Sequence, residues 1–198
     1  MYSNVKKEIG KYYKQFYKKI KENKKIFLTF DLDNDGFCSA KALYEFLRKI
    51  KIKPKIFISK KDSRKERIED AIKNFLNSKY KLFISLDVGI SQISEDLIKK
   101  MENSNKEFLF IDHHLYDYKR IKRVWIINPR FINKNIYIST SAVLYLILKR
   151  IYINKKILFF LYIGDYSDKS NFEELERKVN EFFPNLKEKV DEYSKRLT

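Results

Sequence analysis

The chain has 198 residues, enough for one domain or one and a half, and its 44% hydrophobic and 16% aromatic content can build a core. No apolar run approaches the ~18 residues of a membrane-spanning helix, which argues against a membrane partner. With 43 Lys+Arg against 26 Asp+Glu, the formal charge of +17 points to a polyanion such as nucleic acid. A compositional bias towards Lys, Asn, Ile, Tyr and Phe is the alternative explanation.

One cysteine, Cys38, leaves no internal disulfide framework and suits a reducing compartment. The N-terminus, MYSNVKKEIGKYYK, carries no apolar stretch of the signal-peptide kind, so a cytoplasmic location is expected.

Residues 1–23 read as a basic amphipathic helix with Val5, Ile9, Tyr12, Tyr13, Phe16 and Ile20 on one stripe. Packing against the domain is expected, with membrane-surface binding as the alternative. Ile26, Phe27, Leu28 and Phe30 form a buried strand that runs into a loop bearing Asp31, Asp33, Asp35 and Gly36. A helix over 39–50 follows, then a short strand at 55–59, and a helix capped by Asp62 or Ser63 that reaches about Leu76. A third strand, 81–87, ends in Asp87. Ser91 or Ser94 starts a helix to about Met101, and a fourth strand, 107–112, ends in Asp-His-His. A fifth strand covers 123–127, and Ser139 to Ser141 open an apolar helix to about Ile151. The segment 155–163 is open between helix and strand, and from Asn171 the pattern is helical, with a kink expected at Pro184.

Strands alternating with helices predict an α/β fold: a doubly wound, mainly parallel five-stranded sheet with helices on both faces. The expected organisation is a packed basic helix over 1–24, a central α/β domain over 25–170 and a helical tail over 171–198. Sites in such sheets form beyond the carboxyl ends of the strands, where Asp31, Asp87 and Asp112 fall. Both histidines, His113 and His114, adjoin Asp112, and three of the four glycines (Gly36, Gly89, Gly164) lie beside acidic loops. Neighbouring carboxylates repel one another, and bound cations relieve the cost, so the pattern reads as a metal site. An EF-hand is excluded, because the twelfth position counted from Asp31 is Ala42 and a strand precedes the loop.

Four ordered motifs, DLDNDGFCSA (31–40), SLDVG (85–89), IDHH (111–114) and IGDYSD (163–168), resemble the DHH phosphoesterase superfamily and its RecJ-like branch. The resemblance implies Asp31, Asp33, Asp35, Asp87, His113 and Asp168 as ligands of two divalent cations, with Asp87 bridging them. It implies His114 facing the substrate phosphate, Asp112 orienting the histidines, and Asp87, His113 and His114 nearest the chemistry. Asp165 is a weaker candidate, and Ser39 is expected to contact a phosphate. Oxygen donors with one imidazole suit Mn²⁺ or Mg²⁺. Lys119, Arg120, Lys122 and Arg123 read either as a nucleic-acid track or as a solvated charge cluster, and Trp125 as core.

The resemblance also implies a second, C-terminal domain with a glycine-rich His motif, which the stretch after Asp168 does not offer. Three functions follow from it: a single-strand-specific exonuclease, a replication scaffold associating with the GINS complex, and a phosphatase for small phosphoanhydrides or short oligonucleotides. The partners implied are single-stranded nucleic acid, GINS-like replication proteins, or a chain that supplies the second domain.

Overall fold

A computed structural model describes residues 2–116 and 121–196. Five strands, β1 (Ile26–Phe30), β2 (Lys55–Ile56), β3 (Leu82–Leu86), β4 (Glu107–Ile111) and β5 (Val124–Ile127), form one parallel sheet in the order β2-β1-β3-β4-β5. Side chains of successive strand residues point to opposite faces, so each strand must be covered on both sides. Ile26, Leu28, Ile84 and Leu109 enter one core cluster, while Phe27, Phe83, Phe108 and Phe110 enter the other. The doubly wound arrangement is as expected.

The first face is covered by α1 (Tyr2–Glu22), α2 (Asn34–Lys49), α5 (Thr140–Leu148), α6 (Lys155–Ser167) and α7 (Glu173–Asn180). The second is covered by α3 (Arg64–Leu76) and α4 (Glu95–Asn103), through Ile68, Ile72, Phe75, Leu97 and Met101. A last helix, α8, spans Leu186–Arg196.

Several boundaries move for local reasons. The helix after the first strand starts at Asn34, five residues before the expected start, because the Asp33 carboxylate caps it by accepting the Gly36 N–H at 2.9 Å. The second strand shrinks to two residues at the edge of the sheet, where it has one neighbour. Ser63 closes a capping box with Glu66 and starts α3. The ambiguous segment is helical, capped by Asn154 and ending on Asp168. Pro184 lies in a break between α7 and α8. On α1, Val5, Ile9, Phe16 and Ile20 are buried and Tyr13 packs against them, but Tyr12 faces outwards. Trp125 packs partly buried against the first cluster. Among the described residues no helix is long and apolar enough to cross a membrane.

Parallel pairing continues one residue past the strands. Asp31 N donates to Leu86 O (3.1 Å), Asp87 N to Ile111 O (2.9 Å) and Asp112 N to Ile127 O (3.1 Å). Three aspartates on adjacent strands therefore line one edge, held there by the sheet's own ladder.

Candidate metal centre

Asp87 sits centrally on that edge and is fully buried, with φ of 64°, a left-handed conformation uncommon away from glycine. Such strain persists only where surrounding structure imposes it, and it collects at functional sites. The Asp87 carboxylate accepts the Thr140 hydroxyl at 2.9 Å and lies 3.2 Å from Nε2 of His113. Burial, then the charges of Asp35 and Asp33, raise its pKa far above the ordinary carboxylate range.

Asp35, in the first turn of α2, is also buried. Its two oxygens accept the backbone N–H groups of Thr140 (2.8 Å) and Ser141 (3.0 Å), at the N-terminus of α5. Burial raises its pKa despite those bonds. Asp33 stays half-exposed as the cap of α2, and its second oxygen lies 3.6 Å from Arg64. Asp31 pairs with Arg64, and with Arg67 at 3.3 Å.

His113 is buried with Nε2 turned to Asp87 and to Asp168 (3.6 Å). Asp168, the C-cap of α6, accepts the Tyr137 hydroxyl at 2.7 Å. His114 donates from Nδ1 to Asp112 at 2.7 Å, which raises its pKa, and its Nε2 faces the Arg64 guanidinium at 3.1 Å. A guanidinium only donates, so Nε2 is the acceptor and Nδ1 carries the proton. Asp112 thus holds His114. Oδ2 of Asp112 and Nδ1 of His113 are buried without a hydrogen-bond partner among the described residues.

Among the described residues three donor groups result: Asp31, Asp33 and Asp87; Asp35, His113 and Asp168; and Asp87, His113 and His114. Within each, one donor atom per residue lies within 4.8 Å of the others. The acidic and histidine residues expected around a metal therefore converge, from segments of chain far apart in sequence. Hard oxygen donors, one well-placed imidazole nitrogen and buried carboxylates that resist ionisation are a set that divalent cations fit.

Three expected site residues stand outside those groups. Ser39 is fully buried, its hydroxyl bonded to Ser141 (3.0 Å) and directed at Asp35 (3.4 Å). It turns into the junction of α2 and α5 rather than to the open edge, because α2 begins a turn earlier than expected. Asp165 accepts the Ser139 hydroxyl (2.6 Å) and the Phe172 N–H (2.8 Å), tying α6 to the starts of α5 and α7. Asp112 stands behind His114. Of the basic cluster, Lys119 and Arg120 lie outside the described residues. Lys122 and Arg123 precede β5, at the opposite end of the strands from the aspartates.

Arg64, Arg67, Tyr137 and Thr140 were not among the expected site residues. The two arginines had a signal: they open the helix after the second strand, at the edge where the aspartates gather. Tyr137 and Thr140 had none beyond lying near a predicted helix start.

Glycine placement follows from the same crowding. A Cβ on Gly36 would sit 2.5 Å from the Asp31 carbonyl oxygen, and one on Gly164 would collide with the Ser141 hydroxyl. A side chain at Gly36 would push the start of α2, which carries Asp35, off the end of β1, and one at Gly164 would push α6, which ends on Asp168, off α2 and α5.

Residues 25–164 match the DHH family, N-terminal domain. The chain belongs to the DHH family. No curated protein matches it. Among solved structures it is similar to an exopolyphosphatase-related protein from Bacteroides fragilis, with 20% identity over 86% of this chain and 55% of that one, TM-score 0.61. RecJ from Thermus thermophilus, solved in complex with Mn²⁺, is 15% identical over 79% of this chain and 23% of that one, TM-score 0.58. CDC45 from Entamoeba histolytica is 15% identical over 87% of this chain and 37% of that one, TM-score 0.63. The chain thus spans between 23% and 55% of the length of these structures.

Proposed function

We propose that this chain is a metal-dependent phosphoesterase that hydrolyses phosphodiester bonds of single-stranded nucleic acid, using two divalent cations, Mn²⁺ or Mg²⁺. The observation that carries the reading is the convergence of Asp31, Asp33 and Asp87 beside Asp35, His113 and Asp168, joined where His113 meets Asp87 at 3.2 Å. Asp87 is the residue placed to serve both groups. Bound cations would supply an activated water and charge stabilisation for in-line displacement at phosphorus.

The chain's own residues do the positioning. The α5 amides fix Asp35, Tyr137 fixes Asp168, and Asp112 fixes the ring of His114 with Nε2 outward. Arg64, held by Nε2 of His114 and by Asp31, stands at the rim, where its guanidinium offers an incoming phosphate donors and positive charge. The formal charge of +17 supports a polyanionic substrate.

Similarity to CDC45 favours a second reading, a replication scaffold with little or no turnover. The two readings part in one assay: purified protein with Mn²⁺ and 5′- or 3′-labelled single strands, with Asp87→Ala as control. Cleavage that disappears in the variant supports the nuclease. Strand binding without cleavage supports the scaffold, and hydrolysis confined to pyrophosphate or dinucleotides supports a small-substrate phosphatase.

A further inference from the structure

Gly10 is the one glycine remote from the acidic loops, and its surroundings differ from theirs. It lies inside α1, buried, and a Cβ there would stand 2.9 Å from Nε and 3.3 Å from Nη2 of Arg150. The missing side chain lets the Arg150 guanidinium lie directly on the helix, 5.9 Å from the centre of the Tyr13 ring. Around this contact is a cavity of about 350 Å³ lined by Lys7, Gly10, Lys11, Tyr13, Lys14 and Arg150. Every charged group in that lining is a cation.

Like charges gathered at one spot are unfavourable unless something offsets them. Among the described residues no carboxylate pairs with Lys7, Lys14 or Arg150, while Lys11 has Glu8 at 2.5 Å. Elsewhere on α1 most cations are paired: Lys6 has Glu174 at 3.4 Å, Lys18 has Glu22 at 3.8 Å and Lys19 pairs with Glu107, while Lys21 has only the Tyr17 ring at 5.4 Å. Arg150 follows the C-terminus of α5, whose dipole offsets only about half a charge. Two of the three lysines of α1 without a carboxylate partner among the described residues, Lys7 and Lys14, thus lie where Gly10 admits an arginine from another element.

We propose that the cleft between α1 and Arg150 binds the phosphate backbone of a single nucleic-acid strand, as an anchoring site separate from the metal centre. Thr140, at the start of α5, touches the metal-centre carboxylates, whereas Arg150 follows the other end of that helix. At 1.5 Å per residue the two points are roughly 15 Å apart along the helix axis. A strand engaged at both points must be longer than a dinucleotide. The cations carry no base-reading geometry, so the contact is electrostatic and independent of sequence. The inference needs no turnover: the anchor holds a strand whether or not the metal centre cuts it.

The test is strand binding by the full chain in EDTA, where no hydrolysis confuses the measurement, as a function of salt. The variant Lys7→Gln/Lys14→Gln/Arg150→Gln removes the unpaired cations, and Lys79→Gln/Lys99→Gln/Lys100→Gln removes three exposed cations elsewhere. The pocket variant is expected to bind long single strands about tenfold more weakly at low salt, its slope of log affinity against log salt falling by about 2. The remote variant is expected to match wild type. Gly10→Ala, which displaces Arg150 without changing the charge, is expected to weaken strand binding as well. Any hydrolysis of dinucleotides by wild type should persist in the pocket variant, which separates failure of the anchor from failure of the phosphoesterase reading. Equal weakening in the pocket and remote variants would overturn the proposal, since it would make the effect one of net charge alone. So would loss of binding to phosphatidylserine vesicles with strand binding unchanged, which would make the cleft a membrane contact.

Discussion

Asp35 and Thr140 are separated by 105 residues of sequence, yet the backbone N–H of Thr140 donates to Oδ2 of Asp35 at 2.8 Å. Ser141 donates to the other oxygen at 3.0 Å. A buried carboxylate is costly, and here the first amides of α5 share that cost, since a helix N-terminus has unpaired donors and a positive dipole end. One side chain therefore docks α5 on α2 and presents an acidic edge to the candidate metal centre.

Asp35→Ala leaves those two amides buried without an acceptor. We expect it to lower stability by about 1–3 kcal/mol even in EDTA. Asp35→Asn, which keeps one acceptor oxygen, should lose less. Urea unfolding of both variants checks the order. Equal stability of wild type and Asp35→Ala would show that the amides find water instead.

Tyr137 holds Asp168 through its hydroxyl, and the residue is 37% exposed. Its ring also meets the His113 ring edge-on, a contact that phenylalanine keeps. Tyr137→Phe should therefore leave folding stability nearly unchanged. Groups that orient metal ligands typically matter by 10- to 100-fold in metal affinity or activity, and a loss of about tenfold is expected here. A Mn²⁺ titration followed by calorimetry, read beside a thermal melt, separates the two effects.

Much of this architecture was legible in the sequence because its signals are local. Apolar β-forming runs ending in Asp31, Asp87 and Asp112 gave the sheet and the edge where the aspartates gather, and Asp62 or Ser63 announced a helix start that the structure assigns to Ser63. The aspartate loop was harder to read: Asp33 can cap a helix or ligate a metal, and Asp35 belongs to α2 itself. The inward turn of Ser39 follows from that earlier helix start. The segment 155–163 is apolar nearly throughout, so periodicity could not separate helix from strand. The supports around the carboxylates, Thr140, Ser141 and Tyr137, were illegible because their roles depend on contacts between elements far apart in sequence.

Two glycine substitutions should move stability in opposite directions. Gly10→Ala adds a helix-favouring residue inside α1 and meets only the movable end of Arg150, so a gain of about 0.5–1 kcal/mol is expected. Gly164→Ala drives a Cβ into the Ser141 hydroxyl and places it 3.0 Å from Cβ of Cys38, in the packed junction of α2, α5 and α6. Overpacking of that kind costs about 1–3 kcal/mol and would displace Asp35. Denaturant midpoints of the two variants test the contrast, and a destabilised Gly10→Ala would mean that the α1–Arg150 contact is rigid.

Asp87→Asn separates the fold from the proposed metal binding. Without cations, burial and the neighbouring carboxylates raise the Asp87 pKa so far that it keeps its proton at neutral pH. The amide of asparagine has the shape of that neutral acid and still accepts the Thr140 hydroxyl, so the variant in EDTA should match wild type within about 1 kcal/mol. Binding to the folded state alone stabilises by mass action, about 2.7 kcal/mol when the ligand is at 100 times its dissociation constant. Wild type should therefore melt at higher temperature as Mn²⁺ is added, and Asp87→Asn should show little of that rise. If the variant gained as much from Mn²⁺ as wild type does, the cations would be binding elsewhere, and Asp87 would not be the residue that joins the two donor groups.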